Sequence, residues 1–449
     1  MKSAFYSSCL LLFAAWMFPC AGQTPATPTA AVGPEVTLTQ CLQIALEHNA
    51  QLGIASTQFL DAKGRGIKLH AILYPTLTTQ VLTTPLEAFV QVQQIFYSEA
   101  TLPRLRLSRL TQEQAVINYR QTLNDVAFQV RQAFINARAA REQMDMVRDF
   151  SASKTEAIKA TQQLFAAGQT PKSAVLNVQV QANSSRQFLA STELTNTQAR
   201  LALETLLGQP LPANARLIGD FVTKAPAELD PQKLTATALQ DREDLKLLAS
   251  ARLSTEQQIQ IDKKDAYPEV GFGSSSAFQA PSLGFNNSFN AEANYNEPAT
   301  QRAAGDSQLP YGLYAHWLFF DGGNALGIER SGQASLASRD VALAELKESI
   351  SGEVTSAVAA IRIQCDLLKE LNAQPSPEEL RHLADLEFAA GRLRQLDKVN
   401  LEDDIFTQQR ARLSSEVQLS LATATLDHAL GRDLSWRNAP LPVLKDTSR

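Results

Sequence analysis

The sequence is poor in the residues from which catalytic and metal sites are built. Its 449 residues include only five histidines and four cysteines. The histidines are scattered, without the spacing of metal ligands: His48, His70, His316, His382 and His428. No HExxH motif, nucleophile elbow or phosphate-binding loop occurs. The sequence therefore predicts a protein that is not an enzyme, with no catalytic residue, metal or cofactor.

One acidic run, Glu402-Asp403-Asp404, has the composition of a metal-binding cluster. It lies within a helical pattern, where consecutive acidic residues are typical of a solvated helix face. We therefore interpret this run as a solvated helix surface and predict no metal site there.

Clustered basic charge is missing as well. The chain has 41 Lys and Arg against 46 Asp and Glu, a net charge of −5, and no dense basic run. Phosphate binding needs concentrated positive charge. Nucleic acid is therefore excluded as an expected partner.

The N-terminus carries a short apolar run at residues 9–18, preceded by Lys2 and followed by small residues. The run is too short for a spanning helix and is typical of a secretory signal. We predict a signal peptide over residues 1–22 and a polar linker over 23–36. Lipidation of Cys20 is the alternative, although Met17-Phe18-Pro19 is a poor context for it.

Removal of a signal peptide would leave only Cys41 and Cys365. Two cysteines in so long a chain do not form a disulfide framework.

Two pairs of short segments repeat at a fixed distance in the sequence. The segment ALEHNAQL at 45–52 returns as ALQDREDL at 238–245, and Tyr74-Pro75 returns as Tyr267-Pro268 at the same offset. Such spacing is the signature of an internal repeat.

Two further pairs share a second, larger offset. Gly168 corresponds to Gly391, and Gly208 corresponds to Gly431. We call the distance in sequence from Gly168 to Gly391 the tip offset. Because it exceeds the offset between the Tyr-Pro pairs, the second half carries extra residues after Tyr267. We predict an internal duplication with one insertion, comprising a first repeat over 37–231, a second repeat over 232–437 and a C-terminal tail over 438–449.

Two very long helices are predicted. No glycine occurs from Leu102 to Ala167, and apolar residues recur there at steps of three and four. A helix of this extent is about 100 Å long. Residues 323–390 repeat the pattern with an interruption at Pro375 to Glu379, where Ser376 and Glu379 form a capping box around Pro377.

Shorter helices are predicted at 38–73, 171–207, 233–266 and 393–430. Glycine permits the left-handed backbone of a tight turn between helices. Gly168 and Gly391 therefore predict two antiparallel helical hairpins.

After each Tyr-Pro pair the apolar period changes from 3.6 to 2, which predicts strands. The predicted strands are 76–84, 89–97, 269–278 and 311–320, with a turn at 85–87 and the insertion as a loop between the last two. Their length suits tilted membrane strands. The aromatic residues expected at a lipid boundary are Tyr311, Tyr314, Trp317 and Phe319. A soluble four-stranded sheet is the alternative.

Open strand edges cannot remain unpaired in hydrocarbon, so membrane strands would require an oligomer.

The segment WLFFDGGNALGIERS at 317–331, where a strand runs directly into a long helix, resembles the hallmark of the TolC-type outer-membrane efflux proteins. This strand-to-helix motif comprises Trp317, Phe319, Phe320, Asp321, Gly322 and Gly323. The first half departs from the pattern, with FYSEA at 96–100. The resemblance implies a mixed α and β fold, in which long helical hairpins form a tunnel and four strands from each of three subunits form a twelve-stranded barrel.

The resemblance also implies a function. The chain would be a passive exit duct of a tripartite efflux system in the bacterial outer membrane, with its helical part in the periplasm. Its partners would be two further copies, a periplasmic adaptor (a membrane fusion protein), an inner-membrane transporter of the RND, ABC or MFS type, and outer-membrane lipid. The alternatives are a type I protein secretion duct and a periplasmic coiled-coil adaptor or structural protein.

Two sets of site residues follow from the resemblance alone. Adaptor docking is expected at the hairpin tips, at Ala167, Gly168, Gln169, Ala390, Gly391 and Arg392. A periplasmic gate is expected at Asp397 and Asn400, with Arg394 and Lys398 nearby. Asn400 and Ala174 are neutral where the family pattern has charge, so closure would depend on helix packing and on Asp397 with its basic neighbours.

Overall fold

A computed structural model describes residues 35–83, 86–212, 214–224, 226, 228–264, 267–274, 288–290, 311–318, 320–431 and 442. The predicted signal peptide, Cys20, all but the last two residues of the predicted linker, Phe319 and most of the predicted tail lie outside these residues.

Helices dominate both halves of the chain. In the first half the elements are β1 (Glu35–Thr37), α1 (Leu38–His48), α2 (Ala50–His70), a 3-10 turn (Ala71–Leu73), β2 (Thr76–Thr83), β3 (Leu86–Ser98), α3 (Thr101–Ala166), α4 (Lys172–Leu207) and β4 (Arg216–Ile218). In the second half they are α5 (Pro231–Asp241), α6 (Glu243–Lys264), β5 (Glu269–Ser274), β6 (Ser288–Asn290), β7 (Tyr311–Leu318), α7 (Asn324–Ala373), α8 (Pro377–Ala389) and α9 (Gln395–Ala429).

The long helix predicted in the first half is confirmed. α3 has 66 residues, so it is about 100 Å long. Its apolar stripe is buried, with Val126 and Val130 fully covered and Phe134 4% exposed. The helix pairs with α4 as the first predicted hairpin.

The interruption predicted in the second long helix is also confirmed. α7 ends at Ala373, and α8 begins at Pro377. The Ser376 hydroxyl accepts a hydrogen bond from the Glu379 amide at 3.2 Å, and the Glu379 carboxylate accepts one from the Ser376 amide at 3.2 Å. This reciprocal cap fixes the start of α8.

The helices predicted at 38–73 and 233–266 are each two helices, so the prediction of continuous helices was wrong. Asn49 and Arg242 interrupt them with nearly identical extended backbones, at φ −67°, ψ 127° and φ −64°, ψ 129°. The Asn49 carboxamide oxygen accepts from the amides of Gln51 and Leu52, and its nitrogen donates to the Leu206 carbonyl at 2.6 Å. Apolar periodicity misses the interruption because the stripe continues on both sides.

Five strands form one sheet in the order β2-β3-β5-β7-β6, with every neighbouring pair antiparallel. Thr83 pairs with Leu86, so the first hairpin turns earlier than the predicted 85–87. β3 therefore begins at Leu86 and extends to Ser98. The fourth predicted strand ends at Leu318 rather than 320.

Two features of the strands were not predicted. Ser288–Asn290, inside the insertion expected to be a loop, forms a short strand beside β7. Residues 275–278 of the third predicted strand lie outside the described residues.

The second unpredicted feature is a small parallel pair that joins β1 to β4, from Glu35 opposite Arg216 to Thr37 opposite Ile218. This pairing brings residues far apart in sequence together, so a local pattern cannot reveal it.

Each half has its own hydrophobic core. The first core joins α1, α2, α3 and α4 around Leu123, Val130 and Leu207. The second joins α5, α7 and α9 around Ile350, Ile361 and Leu419. Contacts between the halves run from α3 to α6 and α9, and from β3 to β5. Among the helices of the described residues, none has the length and apolar content needed to cross a bilayer.

Candidate functional site at the hairpin tips and strand-to-helix turn

The first hairpin turns at Gly168, which has a left-handed backbone with φ +74°. Its amide donates to the Phe165 carbonyl at 2.9 Å, and the Gln169 amide donates to the Leu164 carbonyl at 2.9 Å. This pair of bonds satisfies carbonyls that the end of α3 would leave unpaired.

The second hairpin turns in the same way at the equivalent glycine. Gly391 has φ +70°, and its amide donates to the Phe388 carbonyl at 3.0 Å. The Arg392 amide donates to the Glu387 carbonyl at 2.9 Å. The helices that follow also begin alike, because Pro171 and Arg394 have extended backbones within a few degrees of each other.

The six residues predicted at the two tips are exposed: Ala167, Gly168, Gln169, Ala390, Gly391 and Arg392. A Cβ atom at either glycine would meet no neighbour within 4 Å. Substitution of either glycine is therefore restricted by backbone conformation rather than by steric contact. The surrounding side chains are accessible to a partner.

The predicted gate residues lie at the start of α9. Arg394 is the N-cap residue, and its side chain makes no capping hydrogen bond. Asp397, in the first turn, is exposed, as is Asn400. A carboxylate in the first turn of a helix is stabilised by the helix dipole.

Lys398 pairs with an acidic residue of α8 rather than with Asp397. Its ammonium lies 2.7 Å from the Asp385 carboxylate of α8 and 4.8 Å from the ring centre of Phe388. Within the part of the chain that the structure describes, Asp397 makes no ion pair. Lys398 thus links α9 to α8 through an ion pair. It does not compensate the charge of Asp397.

The acidic run in α9 is only partly a solvated surface, since Asp404 is exposed but its two predecessors contact α3, and this corrects the interpretation made from the sequence. The Glu402 carboxylate accepts a hydrogen bond from the Ser153 hydroxyl at 2.6 Å. Asp403 lies 2.5 Å from the ammonium of Lys154, whose side chain is only 1% exposed. Lys154 also donates to the Val399 carbonyl at 3.0 Å. The described residues contain no group of metal-binding side chains.

Sequence reasoning missed Lys154. It continues the spacing of the buried stripe of α3, after Val147 and Ser151. A lysine at such a position needs an acidic partner, because an unpaired buried charge is costly. The position of Lys154 on the apolar stripe therefore indicates a buried ion pair, but it does not indicate which helix supplies the acidic residue.

Two more polar contacts join the halves further along α3. Arg131 lies 2.7 Å from Asp427. The His428 ring stacks on Phe128 with 4.3 Å between ring centres and contacts Asp125 at 3.0 Å. His428 is therefore part of the contact between halves rather than of a metal site.

The strand-to-helix turn after β7 is held by Asp321. Its carboxylate accepts hydrogen bonds from the amides of Ala325 at 2.7 Å and Gly323 at 2.9 Å. The bond from Ala325, followed by that from Gly323, lowers the pKa of the Asp321 carboxyl. Gly322 and Gly323 have φ +65° and +91°, a region that favours glycine.

Two further residues of the strand-to-helix motif are exposed, Trp317 at 50% and Phe320 at 64%. The first half uses different chemistry. Glu99 lies 3.6 Å from Lys264, and Ala100 is fully buried before α3 begins. The departure FYSEA therefore still makes a turn, without positive-φ glycines.

The two described cysteines are apart and free. Burial raises the pKa of the Cys41 thiol to about 12, so it has little thiolate at neutral pH.

Solved structures of known proteins share this architecture. The structure of VceC from Vibrio cholerae matches with 15% identity and a TM-score of 0.67, over 88% of this chain and 96% of that one. The open state of MtrE from Neisseria gonorrhoeae matches with 18% identity and a TM-score of 0.68, over 88% of each chain. CmeC from Campylobacter jejuni matches with 12% identity and a TM-score of 0.67, over 88% of this chain and 85% of that one. The chain therefore has the fold of outer-membrane channel proteins.

Residues 86–209 match the family model described as outer membrane efflux protein. The resemblance predicted from the sequence is thus confirmed. None of the curated proteins matches the sequence significantly.

Proposed function

We propose that this chain is the outer-membrane channel subunit of a tripartite efflux system, a passive exit duct for small molecules. The observation that carries the proposal is the direct passage from sheet to long helix in both halves. β3 ends at Ser98 and α3 begins at Thr101, while β7 ends at Leu318 and α7 begins at Asn324. Such a body can continue a membrane barrel into a helical tunnel.

The sheet of one chain leaves an edge for another copy. Among the described residues β2 pairs only with β3. An open edge would be costly in hydrocarbon. On the other side of the sheet, β6 covers only His316 to Leu318 of β7 among the described residues. Three copies, each giving β2, β3, β5 and β7, would supply the twelve strands of a closed barrel.

The partners follow from this role. A passive duct has no energy source of its own, so an inner-membrane transporter of the RND, ABC or MFS type and a periplasmic adaptor would deliver the cargo. The likeness to structures described as outer membrane channels supports the location in the outer membrane.

The decisive experiment measures the mass and conductance of the protein extracted from outer membranes in detergent. A mass of three chains and stable channels in planar bilayers are expected. A folded monomer recovered from the soluble periplasm would contradict the proposal and favour the adaptor alternative.

We further propose that the hairpin tips receive the adaptor, because all six tip residues are exposed and the two turns present the same backbone. Replacing Gln169 or Arg392 by Trp should abolish adaptor-dependent export and leave the three-chain mass unchanged. Thr195→Trp, on an exposed part of α4 far from the tip, is the control. Unchanged export with a tip replacement would remove that residue from the docking surface.

We propose, last, that three Asp397 side chains lie around the periplasmic entrance. Their charges are not balanced by Lys398, which is paired with Asp385. Like charges in a constriction attract cations. Asp397→Ala should lower cation selectivity in bilayer recordings and Asn400→Asp should raise it. Unchanged selectivity in both would place Asp397 outside the conduction path.

A further inference from the structure

A cavity of about 290 Å³ lies at the side of the first hairpin, between α3, α4 and β4. Four arginines line it: Arg138 and Arg141 of α3, Arg200 of α4 and Arg216 of β4. The carboxylates that line it are those of Glu142 and Asp145. Cationic side chains therefore outnumber anionic ones around a single cavity.

Two of the arginines shape the cavity walls. Arg138 donates to the Glu142 carboxylate at 2.9 Å. Arg200 donates to the Glu204 carboxylate at 3.0 Å and to the Leu211 carbonyl at 2.9 Å. These contacts hold the segment before β4 against α4, so the cavity is formed within one chain.

The other two arginines have unused donors. The Arg141 side chain is 57% exposed and pairs with Asp145 at 3.1 Å, one helical turn away. An exposed pair at this spacing is weak. Arg216 is exposed, and its side chain makes no ion pair or hydrogen bond with the described residues. Glu35, its register partner on β1, does not lie within ion-pair distance of it.

The second half carries core residues at two equivalent positions. The tip offset relates Arg138 to Ile361, and it relates Asn196, which also lines the cavity, to Leu419. Ile361 and Leu419 are fully buried in the second hydrophobic core. The repeated fold therefore does not require polar side chains at these positions, and the arginine-lined cavity is a property of the first half.

We propose that this cavity binds a small multivalent oxyanion, a phosphate or a polycarboxylate. A guanidinium presents paired N–H donors that match the oxygens of both groups. Arg141 and Arg216 would donate to the anion from α3 and from β4, and Asn196 would add an amide donor from α4. The cavity volume is at the lower end of the range for small-molecule sites, which favours a small anion.

The proposed anion site is separate from the hairpin tips. Asp145 lies about 35 Å from Gly168 along α3. Because the cavity belongs to one chain, anion binding depends neither on the proposed ring of three copies nor on the proposed channel.

The test is isothermal titration calorimetry of the purified protein with inorganic phosphate and, separately, with citrate, at an ionic strength kept constant with chloride. Saturable binding of at least one of the two anions, at one site per chain, is expected. The stronger response identifies the class of oxyanion. Arg141→Gln and Arg216→Gln should each weaken the binding about tenfold, since each removes a charge-assisted contact.

The matched control is Arg120→Gln. Arg120 is exposed on the same helix, about 27 Å from Arg138, so its replacement makes the same change of charge outside the cavity. This variant should bind phosphate and citrate like the unchanged protein.

A second pair of variants tests the competition between Asp145 and the anion. Asp145→Asn releases Arg141 from its ion pair and should strengthen the binding about threefold. Asp149→Asn makes the same change of charge at an exposed position one turn further along α3 and should have no comparable effect.

Two results would overturn the inference. One is the absence of saturable binding of both anions. The other is equal weakening by Arg120→Gln and by the two cavity variants, which would show attraction to the net charge of the protein rather than binding in the cavity. Neither result bears on the mass of three chains or on channel conductance, so this inference and the proposed function can fail separately.

Discussion

The two long helices that follow the sheet differ near the hairpin tips. α3 is continuous for 66 residues, whereas its counterpart is interrupted between Ala373 and Pro377. The interruption falls at the position of Ser153 and Lys154, which correspond to Ser376 and Pro377. The first half uses this position to bind α9 through a buried charge. The second half uses it to end one helix and cap another.

The difference shows that equivalent positions have different roles in the two repeats. In the first repeat the position links two helices, and in the second it starts one. Lys154 joins α3 to Asp403, so the first hairpin is fixed to the second within one chain. Pro377 has no charge and no amide proton, and it cannot make the equivalent link.

The largest expected effect comes from removing the acid of the Lys154 pair. Asp403→Ala leaves the Lys154 ammonium, 1% exposed, with the Val399 carbonyl but no counter-charge. Breaking a buried pair in this way costs about 3 kcal/mol. Denaturant unfolding of the detergent complex, followed by helical circular dichroism, measures the loss.

A double variant sharpens this prediction. Lys154→Met together with Asp403→Leu should recover most of the lost free energy of unfolding, because an apolar pair needs no desolvation. If Asp403→Ala alone costs nothing, the ion pair does not hold the halves together.

A smaller effect is expected at the cap of α8. Ser376→Ala removes the hydroxyl that accepts the Glu379 amide, and loss of such a cap costs about 1 kcal/mol. Hydrogen exchange should accelerate in α8 and not in α3. The equivalent variant Ser153→Ala should instead loosen the contact with Glu402. Equal exchange of α8 in both variants would show that the cap does not define the helix start.

The smallest effect concerns pH and the turn after β7. Backbone hydrogen bonds hold the pKa of Asp321 below its usual range, so they stabilise the turn above the unfolded carboxyl pKa. That stability is lost as pH falls through the lowered folded value. Asp321→Asn should remove this acid-side dependence, measured as thermal melting of the complex from neutral to acidic pH. A melting profile identical to that of the unchanged protein would contradict it.

The sequence by itself determined the long helices, both hairpin turns and the break at Pro377. These depend on local causes: apolar spacing over many turns, glycine at positive φ, and a Ser-Pro-Glu capping box. Even the resemblance to a family was carried by a local turn around Asp321.

Only the tertiary structure decided the remaining features. The break at Asn49 depends on a helix end far away in the chain, as the bond from its carboxamide to the Leu206 carbonyl shows. The pairing of Lys154 with Asp403, and of Lys398 with Asp385 rather than Asp397, depends on which helix faces which. Local periodicity predicts that one face of a helix will be buried. Which helix covers that face depends on the packing of the whole chain.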